Sequence, residues 1–82
     1  MKKRITSYDD LVEDLIIEEN DYYYLITSVT SEGIEFKGIN LPSTRILHDN
    51  GSVPADQIKS SIKNGYKWFI IGLAKDHPEY LL

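Results

Sequence analysis

The chain has 82 residues, 41% of them hydrophobic and 27% charged, with no cysteine and a formal net charge of −4. That length makes one domain over residues 1–82 with little room to enclose a drug-sized ligand. The hydrophobic content excludes a disordered chain, and the missing cysteine excludes disulfides and thiolate chemistry.

The basic start Met1-Lys2-Lys3-Arg4 is followed by Asp9 and Asp10 without the apolar stretch of a signal peptide. The longest apolar run, Trp68 to Leu73 with Gly72 inside it, is too short to span a bilayer. The expectation is a cytoplasmic protein without membrane attachment, since a chain lacking disulfides suits a reducing compartment.

Taken in order, Tyr8 to Glu18 reads as a first helix. Ser7 is a suitable N-cap, Asp10 completes a capping box, and Tyr8, Leu11, Val12, Leu15 and Ile16 share one apolar stripe. Glu19 would fall inside that stripe, so the helix should end near Glu18, with Asn20 as its stop.

Tyr22 to Val29, β-branched and aromatic, reads as a strand, and Ile34 to Ile39 alternates as a second. Thr30-Ser31-Glu32-Gly33 between them suits a type I turn closed by a glycine of positive φ. Side chains alternate along a strand, so the register decides which tyrosines are buried. The preferred register sets Tyr23, Leu25 and Val29 beside Ile34 and Phe36, leaving Tyr22, Tyr24 and Ile26 on the other face.

After the break at Leu41-Pro42, Thr44 to His48 is a short candidate strand, followed by a turn at Asp49-Asn50-Gly51. A second helix starts at Pro54 with Ala55, Ile58 and Ile62 as its apolar stripe and Asn64-Gly65 as its stop. Tyr66 to Ala74 reads as a central strand, with Trp68 and Ile70 on one face and Phe69, Ile71 and Leu73 on the other. Pro78 opens a helical turn in the tail. The expected fold is a small two-layer α+β domain of three to four mostly antiparallel strands and two helices, in the order α-β-β-(β)-α-β.

Charge is distributed unevenly. Residues 5–36 hold nine acids and no Lys or Arg, whereas residues 37–82 carry a net +2. On a regular helix Asp9, Asp10, Glu13, Asp14 and Glu18 form one acidic arc with Ile17 in its middle. Like charges four apart, such as Asp10 and Asp14, each cost about 0.2–0.5 kcal/mol in an isolated helix, so the arc works against the helix that carries it. Such a face presents an apolar anchor ringed by charge to a basic protein partner. The candidate partner-binding residues are Asp9, Asp10, Glu13, Asp14, Ile17, Glu18 and Asp21, with Tyr22 and Tyr24 as exposed aromatics. A solvated face without a partner is the plain alternative.

Catalytic and metal motifs do not emerge. His48-Asp49 sits at a turn, His77 stands in the tail, and neither has zinc-ligand spacing. The five glycines are scattered, so no phosphate loop forms. No cofactor is implied. The short, acidic, cysteine-free chain is similar in general look to many small phage or mobile-element proteins of bacteria, including inhibitors of host defence.

The favoured function is therefore a non-enzymatic protein-interaction module, an inhibitor in that style. A small nucleic-acid-binding protein using the basic second half (Lys59, Lys63, Lys67) is the alternative, with nucleic acid disfavoured by the acids around the tyrosines. An enzyme or small-ligand binder with an unrecognised site is a third. An unpaired edge strand would permit a homodimer.

Overall fold

Residues 15–19 (Leu-Ile-Ile-Glu-Glu) place apolar side chains at consecutive positions, and Leu15, Ile16, Ile17 and Glu18 are all buried. A surface helix buries one stripe; an inner strand covered on both faces buries every position. In the computed structural model, which describes residues 3–39 and 50–81, this segment is a strand.

The elements are β1 (Lys3–Arg4), β2 (Leu15–Glu19), β3 (Tyr22–Val29), β4 (Gly33–Gly38), β5 (Asn50–Pro54), α1 (Ala55–Lys63) and β6 (Phe69–Leu73). They build one six-stranded sheet in the order β1-β6-β2-β3-β4-β5, every neighbouring pair antiparallel. The expected two-helix domain of three or four strands is thus corrected to a mostly-sheet domain with one α-helix among the described residues.

The expected first helix shrinks to a single 3-10 turn, Tyr8–Asp10. Its capping box is present: Ser7 Oγ accepts from the Asp9 N–H, and the Asp10 carboxylate accepts from the N–H groups of Thr6 and Ser7. The turn stops at Leu11, which is extended. Asp14 then takes φ 69°; its N–H reaches the Ile26 carbonyl, and its own carbonyl accepts from Ala74. Carboxylates repelling at four-residue spacing offer no reward for extending the helix, while the sheet buries both faces of residues 15–18.

Asn20, expected to stop a helix, instead turns a hairpin. Asn20 and Asp21 have φ 50° and 69°, the left-handed pair that a two-residue type I′ connection requires, and they join β2 to β3.

The register of the β3–β4 hairpin combines the two alternatives. Ile26 faces Phe36, but Val29 faces Ile34, and the pairing shifts between Ile26 and Ser28. The extra residue, Thr27, is a β-bulge that reverses the alternation. Tyr24, Ile26 and Val29 therefore share a face with Ile34 and Phe36, while Tyr23 and Leu25 lie opposite. The Thr30 hydroxyl closes the turn by accepting from the N–H groups of Glu32 and Gly33; Gly33 has no positive φ there.

A second bulge lies on β6. Ile70 pairs with Ile17 and Gly72 with Ile16, so Ile71 is extra, and Leu73 moves to the face of Trp68 and Ile70. The expected turn at Asp49-Asn50-Gly51 is replaced at Asn50 and Gly51 by β5. The Thr44–His48 strand, Leu41-Pro42 and His48-Asp49 lie outside the described residues.

Both faces of the sheet are covered. On one, α1 lays Ala55 and Ile58 into the core, with Ile62 packed against it, and stops at Asn64-Gly65 as expected. It covers Ile17, Ile26 and Ile34 together with Ile5 and Leu11 from the segment before β2. On the other, 3-10 turns at Ala74–Asp76 and Pro78–Leu81 fold back over Ile16, Leu25 and Ile39, and Tyr80 meets Tyr23 with ring centroids 5.2 Å apart. No helix among the described residues is long and apolar enough to cross a membrane.

Candidate functional site

The helix-covered face is incompletely filled. Between α1 and strands β2, β3, β4 and β5 a cleft of about 110 Å³ remains. Leu11, Ile17, Ile34, Val53 and Ile58 give it aliphatic walls; Tyr24, Phe36 and Trp68 line it with aromatic rings; Glu19 is its one charged lining residue. It is open to solvent, and smaller than the roughly 300–1,000 Å³ of a drug-sized pocket.

The lining follows from local structure. Ile17 and Glu19 lie two apart on β2 and point the same way, and Tyr24 is the cross-strand partner of Ile17. The β3 bulge keeps Ile26 and Val29 on this side, where they continue the apolar floor. Phe36 pairs with Gly51 across β4 and β5, and a methyl group at Gly51 would stand 2.9 Å from the Phe36 ring. A glycine therefore clears the space in which that ring lies.

The aromatic residues are held in pairs. Tyr24 and Phe36 meet edge to face at 5.2 Å, while Tyr66 and Trp68 stack at 5.1 Å with their planes 15° apart. Tyr66, 45% exposed, has its phenol pKa raised, chiefly by its interaction with the neighbouring Glu19 carboxylate, with Tyr24 adding to it.

The nine residues expected from sequence are dispersed. Ile17, expected as an exposed anchor, is only 7% exposed and belongs to the core, and Glu18 is buried at 5% on the opposite face. Asp10 is engaged in its capping box. Asp9, Glu13, Asp14 and Asp21 are exposed. Asp14 and Asp21 sit at opposite ends of the five-residue β2, a separation of roughly 17 Å at strand rise. The continuous acidic arc is thus corrected: it required a helix that the chain does not form.

Tyr24 and Ile17 do come together, at the cleft, and Tyr22 stands across from Glu19. Sequence reasoning missed Glu19, Phe36, Trp68 and Tyr66. Read as a helix, the segment sets Glu19 inside an apolar stripe; an acid amid apolar residues is the usable signal.

Six of the nine acids of residues 5–36, Asp9, Glu13, Asp14, Asp21, Glu32 and Glu35, are exposed, and none of these six forms a salt bridge with another described residue. Of the lysines in the basic second half, Lys59 holds its ammonium over the Tyr8 ring, 5.6 Å from the centroid. No group of three or more potential metal ligands gathers among the described residues.

No family model matches this chain, and neither a curated protein nor a solved structure matches it.

Proposed function

We propose that this chain is a non-enzymatic binding module that holds a basic protein partner by one side chain inserted into the cleft beneath α1. The observation that carries the reading is the lining: three aromatic rings and a single carboxylate, Glu19, around an apolar floor. Such a lining attracts a cation by the charge of its carboxylate, and has no nucleophile or acid–base pair with which to act on it. The unneutralised acids elsewhere on the surface support it by drawing a positively charged partner to the domain. The cysteine-free chain suits a reducing compartment, and we place its action in the cytoplasm.

Selection of random peptides on the immobilised protein tests this. Enriched sequences should contain Lys or Arg, weaken with added salt, and lose binding on Glu19→Lys. Enrichment of acidic or purely apolar peptides would remove the reading. A tight gel shift of RNA or DNA at physiological salt would replace it with nucleic-acid binding.

A further inference from the structure

Independently of the cleft, we propose that Asn64, at the C-terminal end of α1, is a site of spontaneous deamidation and isoaspartate formation, and that the fold directs this chemistry there rather than to Asn50.

An asparagine followed by glycine carries its own nucleophile. The backbone nitrogen of the glycine, giving up its proton, attacks Cγ of the asparagine side chain. A C–N bond forms, the Cγ–Nδ2 bond breaks, and the side-chain nitrogen takes the proton and leaves as ammonia. The product is a five-membered succinimide. Water then opens the ring. At Cγ it yields aspartate; at the main-chain carbonyl it yields isoaspartate, whose main chain runs through Cβ and is longer by one methylene. Glycine permits the attack because no Cβ stands beside the nitrogen. The chain has two such pairs, Asn50-Gly51 and Asn64-Gly65.

The pairs differ in what holds the attacking nitrogen. Residues Lys63 to Lys67 are all exposed. Asn64 has left the helix, with φ −84° and ψ 7°. Gly65 has φ 86°, and the space a Cβ would occupy there holds no atom within 4 Å. The N–H groups of Gly65 and Tyr66 close the helix end on the carbonyls of Ile62 and Ser61, at 3.1 and 2.9 Å. Such terminal bonds are the first to open by fraying. The rotation that brings the Gly65 nitrogen onto Cγ therefore breaks hydrogen bonds of an exposed helix end and meets no packed atom at Gly65.

Gly51 is held in a ladder. The Ala55 N–H donates to the Glu32 carbonyl, and antiparallel pairs alternate between bonded and non-bonded, so Phe36–Gly51, four pairs on, is a bonded pair. The Phe36 ring lies 2.9 Å from where a Cβ of Gly51 would stand. Freeing this nitrogen requires β5 to separate from β4.

The fold registers a change at Asn64. A new carboxylate there stands at the negative end of the α1 dipole. Isoaspartate also lengthens the connection that leads through the stacked Tyr66 and Trp68 to β6.

The full chain is held in mildly alkaline buffer at physiological temperature, folded and in urea. Peptide mapping by mass spectrometry follows the conversion of amide to acid at each asparagine, and methyl transfer by an isoaspartate methyltransferase counts the isoaspartate. In the folded chain Asn64 should convert about tenfold faster than Asn50, because opening β5 costs more than fraying α1. In urea the two rates should come together. Asn64→Gln should abolish the fast conversion. The converted protein, separated by anion exchange, should unfold at a lower temperature.

Asn50 reacting as fast as Asn64 in the folded chain, or a preference for Asn64 that persists in urea, overturns the direction by the fold. Asn64 left intact in the folded chain while it reacts in urea overturns the site. An unchanged unfolding temperature of the converted protein overturns the coupling to α1.

Discussion

The Tyr8 hydroxyl donates a 2.7 Å hydrogen bond to the carbonyl of Thr30, 22 residues away in sequence. It ties the segment before β2 to the β3–β4 turn, and Lys59 of α1 lies over the same ring. Burial raises the Tyr8 phenol pKa, so the donor keeps its proton across the neutral range. Tyr8→Phe should keep the ring contact, lose the hydrogen bond, and lower stability by about 1 kcal/mol in urea unfolding. A loss under a few tenths would show that water replaces the phenol.

Asp10 gives the fold its acid sensitivity at this corner. Its pKa is lowered, chiefly by the Thr6 N–H, with the Ser7 N–H and the Lys3 charge assisting against the opposing effect of burial. A folded-state pKa below the unfolded one stabilises the fold at pH values above the ordinary carboxylate value of about 3.9. The contribution disappears as the pH falls through the lower, folded value. Asp10→Ala should therefore cost about 0.5–1 kcal/mol at pH 7, and much less near pH 2. Denaturant midpoints at the two pH values measure the difference.

Gly72 on β6 has φ 147° and lies against His77; a methyl group there would overlap the imidazole, with Cδ2 at 2.7 Å. Gly72→Ala should destabilise by about 1–3 kcal/mol through backbone strain and displacement of the tail. Adding His77→Ala should recover the part due to the collision and leave the part due to φ. Additive losses in the double variant would show that the ring moves aside freely.

The Asn20-Asp21 turn holds two non-glycine residues at positive φ. Asn-Gly is the preferred pair for this turn, so Asp21→Gly should raise stability by about 0.5 kcal/mol, partly offset by the greater freedom of glycine in the unfolded chain. In a domain of this size that is a rise of roughly 2–4 °C in Tm, readable by calorimetry.

Parts of the fold were legible where a local signal had one meaning, although the fold class was not. The Ser7–Asp10 capping box, the stripe of Ala55, Ile58 and Ile62, the Asn64-Gly65 stop and the inner position of β6 all follow from residue type and spacing. Segment 15–19 was not legible, because its apolar residues fit one helical stripe as well as two strand faces. The site inherited that ambiguity. With Tyr8–Glu18 read as a helix, Ile17 became an exposed anchor and Glu19 a misfit; as strand residues, one lies in the core and the other lines the cleft.

The sequence by itself determined the acid excess of residues 5–36, the absence of thiol chemistry, and the aromatic and β-branched character of the strands, since these are properties of composition and short-range spacing. Tertiary structure decided which faces those residues occupy. Bulges at Thr27 and Ile71 reverse the side-chain alternation partway along β3 and β6, and no local preference announces where an extra residue will be accommodated. The meeting of Glu19, Tyr24, Phe36 and Trp68 depends on pairings between strands distant in the chain. Burial of both sheet faces, rather than the propensity of any one segment, selects those pairings.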